Sequence, residues 1–401
     1  MQRVIFLVDM NAFFISCEIT RHPELLGKPA AVAGDPKTRT GIILASNYEA
    51  RRFGVKTAMT LNEALKLCPN MALVPPDHGF YEQKSCEVMQ LLANYSPTIE
   101  QGSIDEAWLD MTGCENLSGK PLEAAEKIMN QIKEELGLWC SIGISENRFL
   151  AKMASDMKKP LGITELWLRD VPAKLWPLKV KAMYGIGTQT AEKLNQMNIQ
   201  TIGDLAAIDP SLLIKRLGKT AIELIDRANG IDPSPVMPHI ADEMKSIGRT
   251  TTLPKDITDL EEARLVIMAL ADEIGQSARY HHKKGRTVQI TLKYSDFQSV
   301  TRQMTVPQTN LSRDILNAGT KLLEKNWNRL RPVRLLGISL SGFEDGVSEQ
   351  ISLFDQYDCQ IAPSHKEEKL EKSLDEIRRK YGSDKISRAS LIKKNAPGDG
   401  S

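Results

Sequence analysis

TIEQGSIDEAWLDM (98–111) decides how this chain reads. Its Ile104, Trp108 and Leu109 alternate with polar residues as in a β-hairpin, and Asp105 and Glu106 stand side by side among them. Carboxylates in such a setting are costly unless a cation or hydrogen bonds compensate them. The problem recurs near the start of the chain, where VIFLV (4–8), a continuous apolar run read as a buried strand, ends in Asp9. Working outward, PAAVAG (29–34) and GIILAS (41–46) are short strands around a polar turn. The stretch 47–68 has helical spacing stopped by Pro69, and a second helical pattern covers 81–95. Residues 121–137 read as an amphipathic helix and WCSIGIS (139–145) as a strand. This βαββαβ-like order predicts a split βαβ, ferredoxin-type sheet carrying an insertion.

Three carboxylates at one sheet edge suit Mg²⁺, a hard cation commonly held by few carboxylates plus substrate phosphates. Two such ions would activate an attacking hydroxyl and neutralise charge on a leaving phosphate group. The six cysteines contain no CxxC pair and the six histidines no HExxH pattern, which argues against zinc and for inert thiols. With 41% hydrophobic and 26% charged residues the composition is that of an ordinary soluble globular protein. No apolar run approaches the roughly 18 residues of a membrane span, and the N-terminus lacks a secretory signal, so a cytoplasmic protein is expected. The net charge of +1 gives no hint of nucleic acid. Locally, though, Arg279, Lys283, Lys284, Arg286, Lys293 and Arg302 face one acid, Asp296, within 276–302.

DMNAFFISCE (9–18), SNYEARRFGVKTAM (46–59), GSIDEAWLDMT (102–112), GISENRFLAKMASDMKKPLG (143–162) and YGIGTQTAEKL (184–194) occur in this order. Together they resemble the Y-family DNA polymerases, most closely the DinB type, over residues 1 to about 345. The resemblance implies an α+β, multidomain right-hand polymerase. Its palm is 1–12 with 75–173, its fingers 13–74, its helical thumb 174–240 and its α+β little finger 243–345. It implies that Asp9, the main-chain carbonyl of Met10, Asp105 and Glu106 hold two Mg²⁺ ions. Tyr48, Arg51 and Lys159 would bind the incoming triphosphate, where a guanidinium can grip oxygens bidentately. Phe14 would be the steric gate against a ribose 2′-hydroxyl, with Phe13 a core residue. Two departures stand out: Asn11 where most relatives have Asp, and Ala45 where a hydroxyl is usual near the triphosphate.

Gly185 and Gly187, before the helical TAEKL, form a helix–hairpin–helix signature in which main-chain N–H groups approach a DNA phosphate. Lys283, Lys284 and Arg286 of the basic strip would supply further, salt-sensitive phosphate contacts. LGKTA (217–221) is not a P-loop, because Leu213 stands where its first glycine is required. QISLF (350–354) resembles the motif by which bacterial polymerases dock on the sliding clamp, with Gln350 as polar anchor and Leu353 and Phe354 filling pockets. A charged tail, 356–401, follows, in which Leu370, Leu374, Ile377 and Tyr381 fall on one helical face and NAPGDGS is expected to be disordered. The expected activity is template-directed addition of dNMP to a primer 3′-end, of low fidelity, since no segment of about 100–150 residues remains for a proofreading domain. The partners are primer–template DNA, dNTPs and the clamp, and the enzyme is expected to be a monomer. A non-catalytic relative would lack the carboxylates or the Tyr–Arg–Lys set. A nucleotide cyclase would leave the hairpin motif, the basic segment and the clamp-like peptide without a purpose.

Overall fold

The computed structural model describes residues 3–35, 41–238, 244–343, 365–382 and 385–386. The chain forms two compact units, one running to Ile240 and one beginning at Ala241. In the first, β1 (Ile5–Met10) is buried along its whole length. It is apolar on both sides because both sides are covered. Phe6, Val8 and Met10 join Leu109, Ile142 and Ile144 in a core shared with the helices His78–Leu92 and Pro121–Leu136. Ile5 and Leu7 meet Trp108, Ala151 and Val236 on the other face.

The strands β2 (Ala30–Ala33), β3 (Ile43–Ser46) and β4 (Ala72–Val74) make a separate sheet, ordered β3-β2-β4. The helical stretch expected over 47–68 is two short helices, Tyr48–Arg52 and Leu61–Leu67. The chain turns between them at Gly54, whose φ of +89° no α-helix accommodates, and the second helix restarts at a Thr60–Glu63 capping box. β5 (Ile99–Gln101), β6 (Glu106–Asp110), β7 (Cys140–Ser145) and β8 (Ile163–Glu165) complete the main sheet with β1, in the order β5-β6-β1-β7-β8. The first four of these strands have the split βαβ arrangement expected; β8 is added in parallel beside β7.

From Thr188 to Ala228 four short helices pack around Leu175, Leu194, Leu205, Leu213 and Leu224. Leu213 is fully buried and Gly218 terminates its helix, so the GKT string is a helix junction.

The second unit is a four-stranded antiparallel sheet of β9 (Ser246–Ile257), β10 (Gly285–Tyr294), β11 (Ser299–Thr309) and β12 (Val333–Ser341), ordered β11-β10-β12-β9. Only β10 and β12 are legible from alternation; β9 and β11 are edge strands with few buried residues. Val288, Ile290 and Leu292 face the helices Leu260–Tyr280 and Ser312–Asn326. The opposite face presents Thr287, Gln289 and Thr291, paired with Ser341, Ser339 and Gly337. A further helix, His365–Tyr381, belongs to this unit. It docks by its acids, since Glu371 is buried while Leu370 and Tyr381 are about 60% exposed (59% and 60%). Of the apolar residues expected on one helical face, Leu374 is half-buried while Leu370, Ile377 and Tyr381 are exposed. QISLF and the NAPGDGS end lie outside the described residues.

Candidate active site

Asp9 sits where β1 runs out of the core, directly opposite Glu106 of β6 and Ser141 of β7. Like charges facing each other across antiparallel strands repel, so the pair needs a cation. Asp105 is one residue from Glu106 and its main-chain carbonyl accepts the Met10 N–H at 2.8 Å. Its carboxylate accepts the Ser103 hydroxyl at 2.6 Å. Ala12 then turns the chain into the helix Phe13–Arg21 at φ 49°, a left-handed conformation costing a non-glycine residue about 1 kcal/mol.

Asp9, Met10, Asp105, Glu106, Phe14, Tyr48, Arg51 and Lys159 all line one cleft of about 400 Å³. They arrive from four stretches of chain, 9–14, 48–51, 105–106 and 159, that sequence separates by up to 150 residues. Asn47 starts the helix Tyr48–Arg52 by accepting the Ala50 N–H at 3.0 Å, and locks it to β2 by accepting the Ala30 N–H at 3.0 Å. Arg51 is anchored through Nε to the Ser46 carbonyl at 2.9 Å, and its guanidinium lies over the Tyr48 ring at 4.9 Å. The Tyr48 hydroxyl is buried and, among the described residues, without a hydrogen-bond partner; burial raises its pKa. A buried hydroxyl of this kind calls for a ligand.

Asn11 is not in the carboxylate set. It is buried, donates to the Ser141 hydroxyl at 3.1 Å and accepts the Leu161 N–H at 2.9 Å, which ties down the loop carrying Lys159. Ala45 lines the cleft with a methyl group. Phe13 is 3% exposed and in the core, whereas Phe14 is half-buried and stacked on Tyr81 at 4.5 Å. The Tyr81 hydroxyl donates to the fully buried Glu18 at 2.7 Å, and Arg21 pairs with Glu18 at 2.9 Å.

Lys152 is the residue that sequence reasoning missed, although it lies inside the quoted motif 143–162. Its ammonium stands 2.7 Å from Asp9 Oδ2 and 2.7 Å from Glu106 Oε2, and Lys159 takes Asp9 Oδ1 at 2.7 Å. Burial works against both ammonium charges, but the carboxylates around them together outweigh it, Asp9, Glu106 and Asp156 for Lys152 and Asp9 and Asp156 for Lys159, and both pKa values are raised. Helical periodicity from Asp156 offered the one available signal, since i and i+4 share a face. The helix Arg148–Met157 reaches this position through Gly143 of β7. A Cβ there would lie 1.9 Å from the Ala151 carbonyl oxygen and 2.5 Å from the Ser155 nitrogen.

The donors fit a hard divalent cation. They are all oxygens, and an ammonium already occupies a point within 3 Å of two of them. Among the described residues no three His, Cys, Asp or Glu side chains stand together tightly enough to hold a metal by themselves. Mg²⁺ does not require that, because it completes its shell with water and substrate oxygens. The described cysteines are free, and burial pushes the Cys140 thiol beside the site up to about 12, so it stays neutral.

The anticipated DNA contacts are distributed differently from the expectation. Gly185 adopts φ +91° and Gly187 caps the helix Thr188–Asn195; both are exposed, and a Cβ at Gly187 would meet nothing within 4 Å. The basic strip of the second unit is not one surface. Arg279 is buried against Glu371 and Asp375, Lys283 is 7% exposed, and Lys284 pairs with Glu368 at 2.9 Å. Arg286 is half-buried at the start of β10. Linear sequence places these residues together, but the end of a helix, a turn and a strand send them in different directions.

Known proteins give the same reading. The family model described as "impB/mucB/samB family" matches residues 8–156, its C-terminal domain 244–353, and the "IMS family HHH motif" 169–199. The DNA polymerase IV of Clostridium kluyveri is 60% identical over 398 residues, covering 98% of this chain and 100% of that protein. DNA polymerase IV 1 of Bacillus subtilis is 40% identical over 98% of this chain and 94% of its own length. A solved Y-family DNA polymerase chimera superimposes with a TM-score of 0.76 at 27% identity, covering 85% of this chain and 99% of that one. With carboxylates, cations and a gate-like aromatic gathered in one cleft above a split βαβ sheet, this chain belongs to the Y-family DNA polymerases of the DinB type.

Proposed function

We propose that this template-directed translesion DNA polymerase performs nucleotidyl transfer in the 400 Å³ cleft, with two Mg²⁺ held by Asp9, Asp105, Glu106 and the Met10 carbonyl. The observation that carries this reading is the buried, unpartnered Tyr48 hydroxyl, which lines the cleft with Arg51 and Lys159 and shares it with the three acids. When bound, the metal lowers the barrier by neutralising charge on the triphosphate and on the 3′-oxygen. Tyr48 and Arg51 grip phosphate oxygens, and Lys159 releases Asp9 to do the same. Asn11 holds the Lys159 loop in place, and Phe14 lies under the sugar. Gly185 and Gly187 bind primer–template backbone without regard to sequence. In the second unit the hydroxyl- and amide-rich sheet face, which also carries Lys293, supports backbone contact better than Lys284, which pairs with Glu368. The palm, fingers, thumb and little finger follow the boundaries given above, and QISLF docks the enzyme on a bacterial sliding clamp. A cytoplasmic monomer belongs to the same reading; among the described residues no helix is long and apolar enough to cross a membrane.

The test is primer extension on a defined template. Wild type extends with Mg²⁺ and stops in chelator, while Asp9→Ala, Asp105→Ala and Glu106→Ala each lose extension and keep binding to primer–template DNA. A tenth of wild-type extension retained by Asp105→Ala contradicts the ligand assignment.

A further inference from the structure

Both oxygens of the Asp9 carboxylate are already engaged by ammonium groups: Lys159 at Oδ1 and Lys152 at Oδ2, each at 2.7 Å. The two lysines do different things. Lys159 is the more exposed and sits at the loop end of the cleft. Lys152 is 8% exposed and bridges Asp9 to Glu106, so it occupies the point between the two carboxylates where a shared cation belongs. A divalent ion bound by both acids therefore cannot enter while this ammonium stays.

An exit is built into the same helix. Asp156 lies one turn on, its Oδ2 3.8 Å from the Lys152 ammonium and its Oδ1 2.8 Å from that of Lys159. Asp156 is the more exposed partner, and it already touches both cations that Asp9 would have to give up. The Tyr184 ring offers a second weak station, its centroid 6.0 Å from the Lys152 nitrogen. A permanent structural ion pair needs neither a bridging position between two facing carboxylates nor an alternative acceptor within a side-chain swing.

We propose that Lys152 is the resident cation of the metal-free site, holding Asp9 and Glu106 in register until a divalent ion displaces it toward Asp156. This rests on Asp9 and Glu106 being metal ligands. It makes Lys152 a positioning residue with two opposed effects. It prevents the facing carboxylates from splaying apart when no metal is present, and it weakens metal binding because the ion must evict it.

The experiment uses the full chain, stripped of metal and free of DNA and nucleotide, with Mn²⁺ as the probe, read by electron paramagnetic resonance and by melting curves. Lys152→Met should bind Mn²⁺ at least tenfold more tightly than wild type, melt lower in chelator, and regain the loss when Mn²⁺ is added. Lys158→Met, which removes an exposed charge six residues along, should change affinity less than threefold. That separates eviction from a general change in field. Lys152→Gln keeps two amide donors for the carboxylates and serves as the second variant, judged by the same tenfold criterion, if the Met variant does not fold. Affinity unchanged or weakened in a folded Lys152 variant overturns the exchange and leaves an ordinary buried ion pair. Mn²⁺ uptake that survives Asp9→Ala and Glu106→Ala undiminished overturns the ligand assignment beneath it.

Discussion

Phe14 shows what a single residue contributes and how that can be measured. Its ring packs face to face on Tyr81, which is itself held by the buried Glu18, so in the proposed gate role it would have little freedom to yield to an incoming sugar. Discrimination by such a clash is repulsive, not a better contact with the right substrate. Overpacking costs about 1–3 kcal/mol, so Phe14→Ala should raise ribonucleotide insertion roughly 10- to 200-fold. Deoxynucleotide insertion should fall only modestly, because no carboxylate or phosphate contact is removed. Single-nucleotide insertion of dNTP and rNTP, with a melting curve for the variant, checks this. Parallel loss of both activities with a lowered melting temperature would instead mark Phe14 as core, as Phe13 already is.

At the scale of elements, the site depends on how closely one helix lies on one sheet. Gly143 is the residue that permits it, and its role is packing distance and not backbone conformation. Gly143→Ala places a methyl group within 2 Å of the Ala151 carbonyl, and backbone cannot move aside as a flexible side chain can. The helix Arg148–Met157 must lift, carrying Lys152 away from Asp9 and Glu106. We expect destabilisation of about 1–3 kcal/mol, with loss of primer extension exceeding what the lowered stability explains at the assay temperature. Denaturant melts beside steady-state extension test it, and wild-type activity with an unchanged midpoint would show that the sheet absorbs the methyl group. The strand β1 was legible because its apolar run ends in an acid, whereas β9 and β11 were not: as edge strands they bury few side chains and lack the alternation that reveals a half-buried strand.

Two features belong to the whole molecule. The first is the docking of the helix His365–Tyr381 on the second unit by ion pairs, with Arg279 buried between Glu371 and Asp375 and Arg378 paired with Asp272 at 2.9 Å. Removing one partner of a buried pair leaves the other charge uncompensated, which costs about 3–5 kcal/mol. Arg279→Ala should therefore lower the stability of the second unit, read by hydrogen exchange along Leu260–Tyr280, while protection of β1 is unchanged. Equal loss of protection in both units would mean that they unfold as one. The second is the proposed role of QISLF in docking on a clamp. Leu353→Ala with Phe354→Ala removes two apolar anchors, each worth about 2 kcal/mol if it is a hot spot, and should weaken binding to a bacterial clamp by two orders of magnitude or more. Extension on a short template without clamp should not change, and unaltered clamp binding would make QISLF a chance string.

Sequence by itself picked out side chains that the fold gathers into one cleft, because those residues sit in short contiguous motifs. An acid ending an apolar strand, an acidic pair in a hairpin and an Asn-capped Tyr–Glu–Ala–Arg–Arg helix are local statements about desolvation, alternation and capping. It also determined the four strands β1, β5, β6 and β7 of the main sheet, but not β8, which is only three residues long and half-exposed. Only the tertiary structure decided what neutralises the carboxylates. Lys152 stands 143 residues from Asp9, and its place follows from a glycine in β7 that lets one helix approach the sheet. The tertiary structure also dispersed the basic strip, since neighbours in sequence there end a helix, make a turn and begin a strand. Local patterns encode burial and backbone geometry; the balance of charge at a point in space depends on which distant elements the packing brings there.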